Sequence, residues 1–135
     1  MRVNQIAEQL SISPDSIRYY TRIGLLRPKK NLTNGYREYG EKDVLRLKFI
    51  LGARSLGFTI KDIEHILGVA DKGKTPCPIV RGLIEQRLSE TEELFRQMTT
   101  LRDRMQNAVS HWSGMPDKDP TGDMICHLIE NFDKG

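Results

Sequence analysis

The chain has 135 residues, of which 38% are hydrophobic and 29% are charged, with a net charge of +3. This length allows one modest domain, or a small domain with an extension, and the apolar runs are too short to cross a membrane. Two cysteines cannot form a disulfide framework, and the first residues lack the apolar core of a signal peptide. We therefore expect a cytoplasmic protein that does not associate with a membrane.

The charge is divided unevenly along the chain. Residues 1–75 hold 14 Lys and Arg against 8 Asp and Glu, a net charge of +6. Residues 76–135 hold 7 Lys and Arg against 10 Asp and Glu, a net charge of −3. The basic half favours a polyanionic partner, and the acidic half is expected to have a different role.

Two short helices are predicted at the start of the chain. Asn4 is a candidate N-cap for the first helix, and Ser13 caps the second, with Pro14 in its first turn. Gly24 is expected to end the second helix. Two short helices joined by about three residues are typical of a helix-turn-helix.

A basic hairpin is predicted next. Asn34-Gly35 is typical of a two-residue turn between antiparallel strands, and lysines and arginines flank it. A basic hairpin directly after a helix-turn-helix is a wing, which can reach phosphates or the minor groove of DNA.

A second pair of helices is predicted after the wing. The first runs from Glu41 to Gly57 and has an apolar face, formed by Val44, Leu45, Leu47, Ile50, Leu51 and Leu56. The second begins with a capping box between Thr59 and Asp62 and is expected to stop near Gly68. A polar linker follows it.

One long helix is predicted from about Ile79 to Trp112, a length of about 50 Å. Its residues form two series seven apart and offset by four, as in a coiled-coil seam. The series are Ile84, Thr91, Met98, Met105 and Trp112, and Leu88, Phe95, Arg102 and Val109. A second copy of the chain is the simplest partner for such a seam, and the alternative is a helix that folds back on the first half. A loop and a short amphipathic helix from Met124 to Phe132 close the chain.

Four motifs of the first half occur together in this order: Ile17-Arg18-Tyr19-Tyr20, Gly24-Leu25-Leu26, Asn34-Gly35-Tyr36-Arg37-Glu38-Tyr39 and Arg54-Ser55-Leu56-Gly57-Phe58. Together with the long helix and the cysteine-bearing tail, they resemble the MerR family of bacterial transcription regulators over essentially the whole chain. The resemblance implies a homodimer bound to double-stranded promoter DNA between two promoter elements spaced too far apart for productive RNA polymerase binding. In that family the activated dimer bends and untwists the DNA, so it acts on the polymerase through the shared promoter.

The resemblance also implies the organisation of the chain. We expect a mainly α protein in which a winged helix-turn-helix is followed by a long antiparallel coiled-coil helix and a short effector tail. The expected parts are a DNA-binding domain over residues 1–69, a linker over 70–78, a dimerisation helix over 79–112, and an effector-sensing loop with a short terminal helix over 113–135.

The resemblance and the chemistry of the side chains select the same DNA-binding residues. Arg18 lies near the start of the recognition helix, where a guanidinium can reach guanine edges or phosphates. Of the adjacent Tyr19 and Tyr20, one is expected to face DNA and the other to pack inward. The other expected contacts are Asn34, Tyr36, Arg37, Tyr39, Arg54 and Lys61. Tyr39 can equally be a core residue, and Lys61 a surface lysine.

Cys77 lies between two prolines directly before the long helix, where the helix dipole and the free amides favour a thiolate. Thiolates bind soft and borderline metal ions. In the metal-sensing branch of the family, a cysteine here is associated with divalent-metal sensors, so the resemblance favours an ion of the zinc, cadmium or lead class. Cys126 resembles the cysteine that closes the metal-binding loop of that branch, and Cys77 would approach the tail of the other subunit in an antiparallel dimer.

The chain departs from that branch near Trp112, where metal sensors usually have another cysteine. Its loop from Trp112 to Cys126 is also longer than is usual in those sensors. Because a closed zinc site needs four ligands, two thiols are not enough. His111 is the further ligand favoured by position, and the other candidates are His127, Asp117, Asp119 and Asp123.

Two other modes of sensing remain open at this point. Oxidants or electrophiles could react with Cys77 and Cys126. An organic ligand could bind near the apolar cluster of Trp112, Met115 and Phe132.

No motif of the chain indicates an enzyme. The sequence has no Gly-rich phosphate loop, no Gly-x-Ser-x-Gly and no His-Glu-x-x-His. A coiled-coil adaptor that does not bind DNA would explain the long helix but not the basic hairpin with its tyrosines.

Overall fold

The computed structural model describes residues 1–132 and is mainly α, as the sequence predicts. The helices are α1 Val3–Leu10, α2 Pro14–Arg22, α3 Glu41–Ser55, α4 Ile60–Asp71, α5 Cys77–Trp112 and α6 His127–Phe132. Strands β1 Lys29–Lys30 and β2 Arg37–Glu38 form an antiparallel hairpin between α2 and α3. The chain divides into two units, the first covering Met1–Leu88 and the second beginning at Ser89. Among the described residues, no helix combines the length and apolar character needed to cross a membrane.

The start of α1 differs from the prediction. Arg2, not Asn4, precedes the first turn, because the Arg2 carbonyl already accepts a hydrogen bond from the Ile6 amide at 3.2 Å. The Arg2 amide in turn donates to Gln5 Oε1 at 2.8 Å. Asn4 was therefore wrong as the cap, since it lies inside the helix.

The start and end of α2 confirm the prediction. Ser13 Oγ accepts a hydrogen bond from the Ser16 amide at 3.2 Å, and Pro14 is the first helical residue. Gly24 follows the last turn with a φ of +87°, a conformation that glycine adopts without the steric cost of a side chain. The helix-turn-helix is thus delimited by its own local sequence.

The wing is present, but its predicted two-residue turn was wrong. The Asn31 amide donates to the Tyr36 carbonyl at 2.7 Å, so four residues lie between this last bonded pair. The Asn31 side chain accepts hydrogen bonds from the amides of Thr33 and Asn34, and the Asn31 carbonyl accepts one from Gly35 at 2.8 Å. Asn34-Gly35 therefore ends a longer turn that the Asn31 side chain starts.

The second helical pair has the predicted capping box but a different end and a different face. The Thr59 amide donates to Asp62 Oδ2 at 2.9 Å and the Asp62 amide donates to Thr59 Oγ1 at 3.1 Å. Helix α4 continues past Gly68 to Asp71, so Gly68 was wrong as its end. In α3, Leu45 and Leu56 are 66% and 64% exposed and do not belong to the predicted core face.

A single apolar core holds the first unit together. Its fully buried side chains are Ile6, Ile17, Leu26, Leu47, Ile50, Ile63 and Ile66. The first turns of α5 pack against this core through Ile79, Val80, Leu83 and Ile84. The beginning of the long helix is therefore part of the same folded unit as the helix-turn-helix.

Two ion pairs fix helices of this unit to one another. Arg87 Nε on α5 lies 3.0 Å from Asp62 Oδ2 on α4, with side-chain exposures of 18% and 8%. Arg46 on α3 forms a bidentate ion pair with Asp71 at the end of α4, with N–O distances of 2.9 and 3.0 Å. Its Nε also donates to the Leu25 carbonyl. The hydrogen bond from Arg46 holds the pKa of Asp71 below its ordinary value.

In the second unit, α6 is fastened to the end of α5. Trp112 Nε1 donates to the Leu128 carbonyl at 3.1 Å, and the Trp112 and Phe132 rings meet edge to face at 5.7 Å. Helix α6 begins at His127 rather than at the predicted Met124. The Glu130 carboxylate accepts hydrogen bonds from the two amides that precede the helix, so these amides have a partner at its start.

Substitution of two glycines tests where α4 ends. We expect Gly68→Ala to raise the free energy of unfolding by about 0.5–1 kcal/mol, because Gly68 lies inside the helix and open space surrounds its added methyl group. We expect Gly73→Ala to lower it by about 1–2 kcal/mol, because Gly73 has a φ of +78°. Urea unfolding at one protein concentration measures both, and a loss of stability in Gly68→Ala would contradict the assigned end of α4.

Candidate nucleic-acid interface and thiol residues

A basic groove of about 520 Å³ opens on the first unit. The start of α1, helix α2 and the wing supply its walls, with Arg2, Val3, Asn4, Arg18, Lys30, Gly35, Tyr36, Arg37 and Tyr39 as lining residues. Four of these side chains are cationic, and none of the lining residues is Asp or Glu. The groove is therefore suited to an anionic ligand.

Arg18 lies at the middle of α2, as the fifth of its nine residues, and lines this groove. Its guanidinium lies 2.9 Å from the Asp15 carboxylate, and the two side chains are 50% and 93% exposed. Exposed ion pairs of this kind contribute little free energy, so Arg18 can exchange Asp15 for another anion at low cost.

The two adjacent tyrosines of α2 have different surroundings. Tyr19 is 39% exposed, and the Arg22 guanidinium lies 5.5 Å from its ring centroid. Tyr20 is buried in the core, with its ring 5.7 Å from that of Tyr19. Only Tyr19 presents a substantial surface to a partner.

Tyr39 is buried and holds the base of the wing against α2. Thr21 Oγ1 donates to the Ile17 carbonyl at 2.8 Å, so the Tyr39 hydroxyl, also 2.8 Å from Thr21 Oγ1, is the donor in that second bond. The wing residues nearer the tip, Asn34, Tyr36 and Arg37, are exposed. The wing thus has an inner tyrosine that fixes it and an outer surface that remains open.

Arg54 and Lys61 lie around the turn between α3 and α4. Arg54 Nη1 donates to the Phe58 carbonyl at 2.9 Å, so its side chain closes this turn while remaining exposed. Lys61 is exposed in the first turn of α4.

Arg2 is a groove residue that sequence reasoning missed. Its guanidinium lies 4.3 Å from the ring centroid of Tyr36, which is 34 positions away in the chain. A lone arginine before the first predicted helix carries no local signal of this contact, because only the folded hairpin brings the ring to it.

The two thiols lie in different units. Cys77 is the first residue of α5 and is exposed, with its amide 3.3 Å from Thr75 Oγ1. Cys126 is partly exposed directly before α6. Within residues 1–132, no three or more His, Cys, Asp or Glu side chains gather as metal ligands.

The histidines near the tail also differ. His111 is exposed in the last turn of α5, with its ring centroid 6.3 Å from that of Phe132. His127 is buried, and its Nε2 lies 2.9 Å from the Pro116 carbonyl oxygen, so it ties the loop to α6. Of the two, His111 is the more accessible to a ligand.

Comparison with known proteins gives consistent matches along most of the chain. A family model described as MerR HTH family regulatory protein matches residues 1–68, and one described as MerR, DNA binding matches residues 44–108. An uncharacterized HTH-type transcriptional regulator of Pseudomonas aeruginosa is 33% identical over 84% of this chain and 86% of its own length. A probable heavy metal-dependent transcriptional regulator of Haemophilus influenzae is 31% identical over 83% of this chain and 84% of its own length.

A solved structure shares the fold. The transcription regulator PbrR691 from Ralstonia metallidurans CH34, in complex with lead(II), matches with a TM-score of 0.73 and 19% identity. The match covers 97% of this chain and 98% of that chain.

Proposed function

The chain belongs to the MerR family of helix-turn-helix transcriptional regulators, and we propose that it binds a promoter spacer as a homodimer and activates transcription by distorting the DNA when an effector binds. The family and the relatives are regulators and not enzymes. The observation that carries the proposal is the basic groove shared by α2 and the wing, with four cationic side chains and no lining carboxylate.

In this proposal the two walls of the groove read different parts of the duplex. Arg18, on the recognition helix α2, reaches base edges in the major groove, with the exposed Tyr19 beside it. The exposed outer residues of the wing, together with Arg54 and Lys61, contact the DNA backbone. Tyr20 and Tyr39 are buried, so we assign them to holding α2 and the wing in place rather than to contacting DNA.

The apolar surface of α5 supports the homodimer. Its exposed large apolar side chains include Leu88, Leu94, Phe95, Met98, Leu101, Met105 and Val109, with exposed fractions between 44% and 74%. An apolar stripe of this kind marks an interaction surface, and most of these residues fall on the predicted seam. We propose that residues 79–112 dimerise in this way. A DNA-binding domain over 1–69 and a linker over 70–78 would precede this helix, and a sensing tail over 113–135 would follow it.

A divalent metal ion of the zinc, cadmium or lead class is the effector that we propose. One relative is described as heavy metal-dependent, and one structural neighbour holds lead(II). Residues 1–132 bring no three such ligands together, and we propose a site shared by two chains, with Cys77 of one protomer facing Cys126 and His111 of its partner. Bound there, the ion would supply a fixed link between thiolates of the two protomers.

The exposure of Cys77 supports a second candidate effector, an oxidant or electrophile that reacts with the thiols. The third mode, an organic ligand near Trp112, has less support. The indole N–H is bonded to the Leu128 carbonyl and the ring packs on Phe132, which makes Trp112 an anchor for α6.

Arg18→Ala tests the DNA-binding mode. We expect affinity for a duplex selected from a random pool to fall about 5- to 150-fold, with a smaller loss on a scrambled duplex, because a guanidinium that reads a base edge contributes about 1–3 kcal/mol. Fluorescence anisotropy measures both duplexes, with Arg96→Ala on α5 as the control that removes the same charge. Unchanged affinity and selectivity in Arg18→Ala would contradict its assignment.

Phe95→Lys tests the dimer. Phe95 is 74% exposed in the single chain, and its burial by a partner contributes about 2 kcal/mol per protomer. We therefore expect the dissociation constant of the dimer to rise at least a hundredfold. Sedimentation equilibrium measures this, with Thr100→Lys, outside the seam, as the matched control. Equal dissociation constants for the two variants would exclude this seam as the dimer interface.

Cys77→Ser tests the effector. We expect the variant to bind the selected duplex as the wild type does, but to lose both stoichiometric metal binding and metal-dependent transcription from that promoter, because Ser cannot replace a thiolate ligand. Titration with zinc, cadmium and lead(II), followed by transcription in vitro, measures the loss. If the wild type binds none of these ions but responds to an oxidant, and Cys77→Ser does not respond to it, the result would support thiol oxidation instead.

A further inference from the structure

The basic groove contains one cation that belongs to neither α2 nor the wing. Arg2 precedes α1, yet its guanidinium lies 4.3 Å from the centroid of the Tyr36 ring. A cation–π contact stabilises the charge without neutralising it, whereas a carboxylate would cancel it. Arg2 therefore adds a positive charge to the side of the groove that the wing forms.

The backbone around Arg2 holds it in this place. The Met1 nitrogen donates to the Tyr39 carbonyl at 2.7 Å, and the Tyr39 amide donates to the Met1 carbonyl at 2.6 Å. These two bonds pair Met1 with the segment that follows β2, as neighbouring strands pair in a sheet. The Arg2 amide then donates to Gln5 Oε1 in the first turn of α1, so the main chain is fixed on both sides of Arg2.

The neighbouring charges favour an anion at this point. Arg2, Arg18, Lys30 and Arg37 all line the groove, and its lining includes no acidic side chain. Arg18 already has Asp15 beside it, whereas the charge of Arg2 lies over an aromatic ring. Protein contacts that flank a recognition helix go mostly to the phosphates and sugars of DNA, not to base edges.

We propose that Arg2 binds a phosphate of the promoter DNA backbone, and that Tyr36 is the residue that positions its guanidinium. The proposal rests on the proposed DNA-binding function and adds a third segment, the chain before α1, to the recognition helix and the wing. It predicts a sequence-independent contribution to affinity, because phosphates are the same at every base step.

The salt dependence of DNA binding tests the proposal. The variants are Arg2→Gln and Arg96→Gln, which remove the same charge. Arg96 pairs with Glu93 on α5 and does not line the groove. Dissociation constants for the selected and the scrambled duplex are measured over a range of KCl concentrations, with thermal unfolding as the check on folding.

For Arg2→Gln we expect a similar loss of affinity on both duplexes, about 5- to 10-fold at low salt. The dissociation constant rises with salt, and we expect the slope of log Kd against log salt concentration to become smaller by about 0.9. Arg96→Gln should leave the slope unchanged. An unchanged slope in Arg2→Gln, or a loss confined to the selected duplex, overturns the phosphate contact. If the wild type itself shows no salt-dependent binding, it is the proposed function that fails.

The role of Tyr36 is tested by measuring Arg2→Gln in two further backgrounds. Tyr36→Phe keeps the ring that lies under the guanidinium, and Tyr36→Leu removes it. We expect Arg2→Gln to reduce the salt slope in the Tyr36→Phe background as in the wild type, and to have little effect in Tyr36→Leu. An equal effect of Arg2→Gln in both backgrounds would show that Tyr36 does not position Arg2.

Discussion

The carboxylate of Asp62 joins the DNA-binding elements to the long helix. Its Oδ2 accepts the Thr59 amide at the start of α4 and lies 3.0 Å from Arg87 Nε on α5. A buried ion pair is weak evidence for stability, because desolvation offsets much of its attraction, but loss of one partner leaves an uncompensated charge. Apolar contacts between α5 and the core are not directional, whereas this pair is. A shift of α5 by one residue would turn Arg87 by about 100°, away from Asp62, so the pair defines the register of α5 on α4.

The groove is formed by residues whose positions the rest of the fold has already set. Tyr39 fixes the base of the wing to α2 through Thr21, and the Met1 backbone pairs with the segment that follows β2. The outer face of the wing can therefore present its charges from a supported position, although the strands are only two residues long. Side chains held in place before binding lose less conformational entropy when a ligand arrives, so a larger part of their electrostatic attraction is expressed as affinity.

Sequence reasoning succeeded at two helix starts whose capping partners are close in the chain. The Ser13 cap and the Thr59–Asp62 capping box are confirmed, and in each case the two partners are three residues apart. It also failed at the start of α1, at the turn of the wing and at the start of α6, although the deciding side chains lie only two to five residues away. Other predictions failed where a distant contact decides the outcome. Gly68 was predicted to end α4, but Arg46, 25 residues before Asp71, pairs with Asp71 and stabilises an additional turn of the helix. Arg2 was missed for the same reason, since its partner Tyr36 reaches it only through the folded wing.

Because α5 has an exposed apolar stripe, the stability of the protein is expected to depend on its concentration. In the proposed dimer, the free energy of association is part of the free energy of folding, so stability depends on the concentration of the chain. Below the dissociation constant, the number of dimers falls with the square of the number of chains, and the remaining protomers expose their apolar stripe to proteases and to aggregation. Dilution, as during growth without new synthesis of the chain, would then lower the concentration of dimer faster than the concentration of the polypeptide.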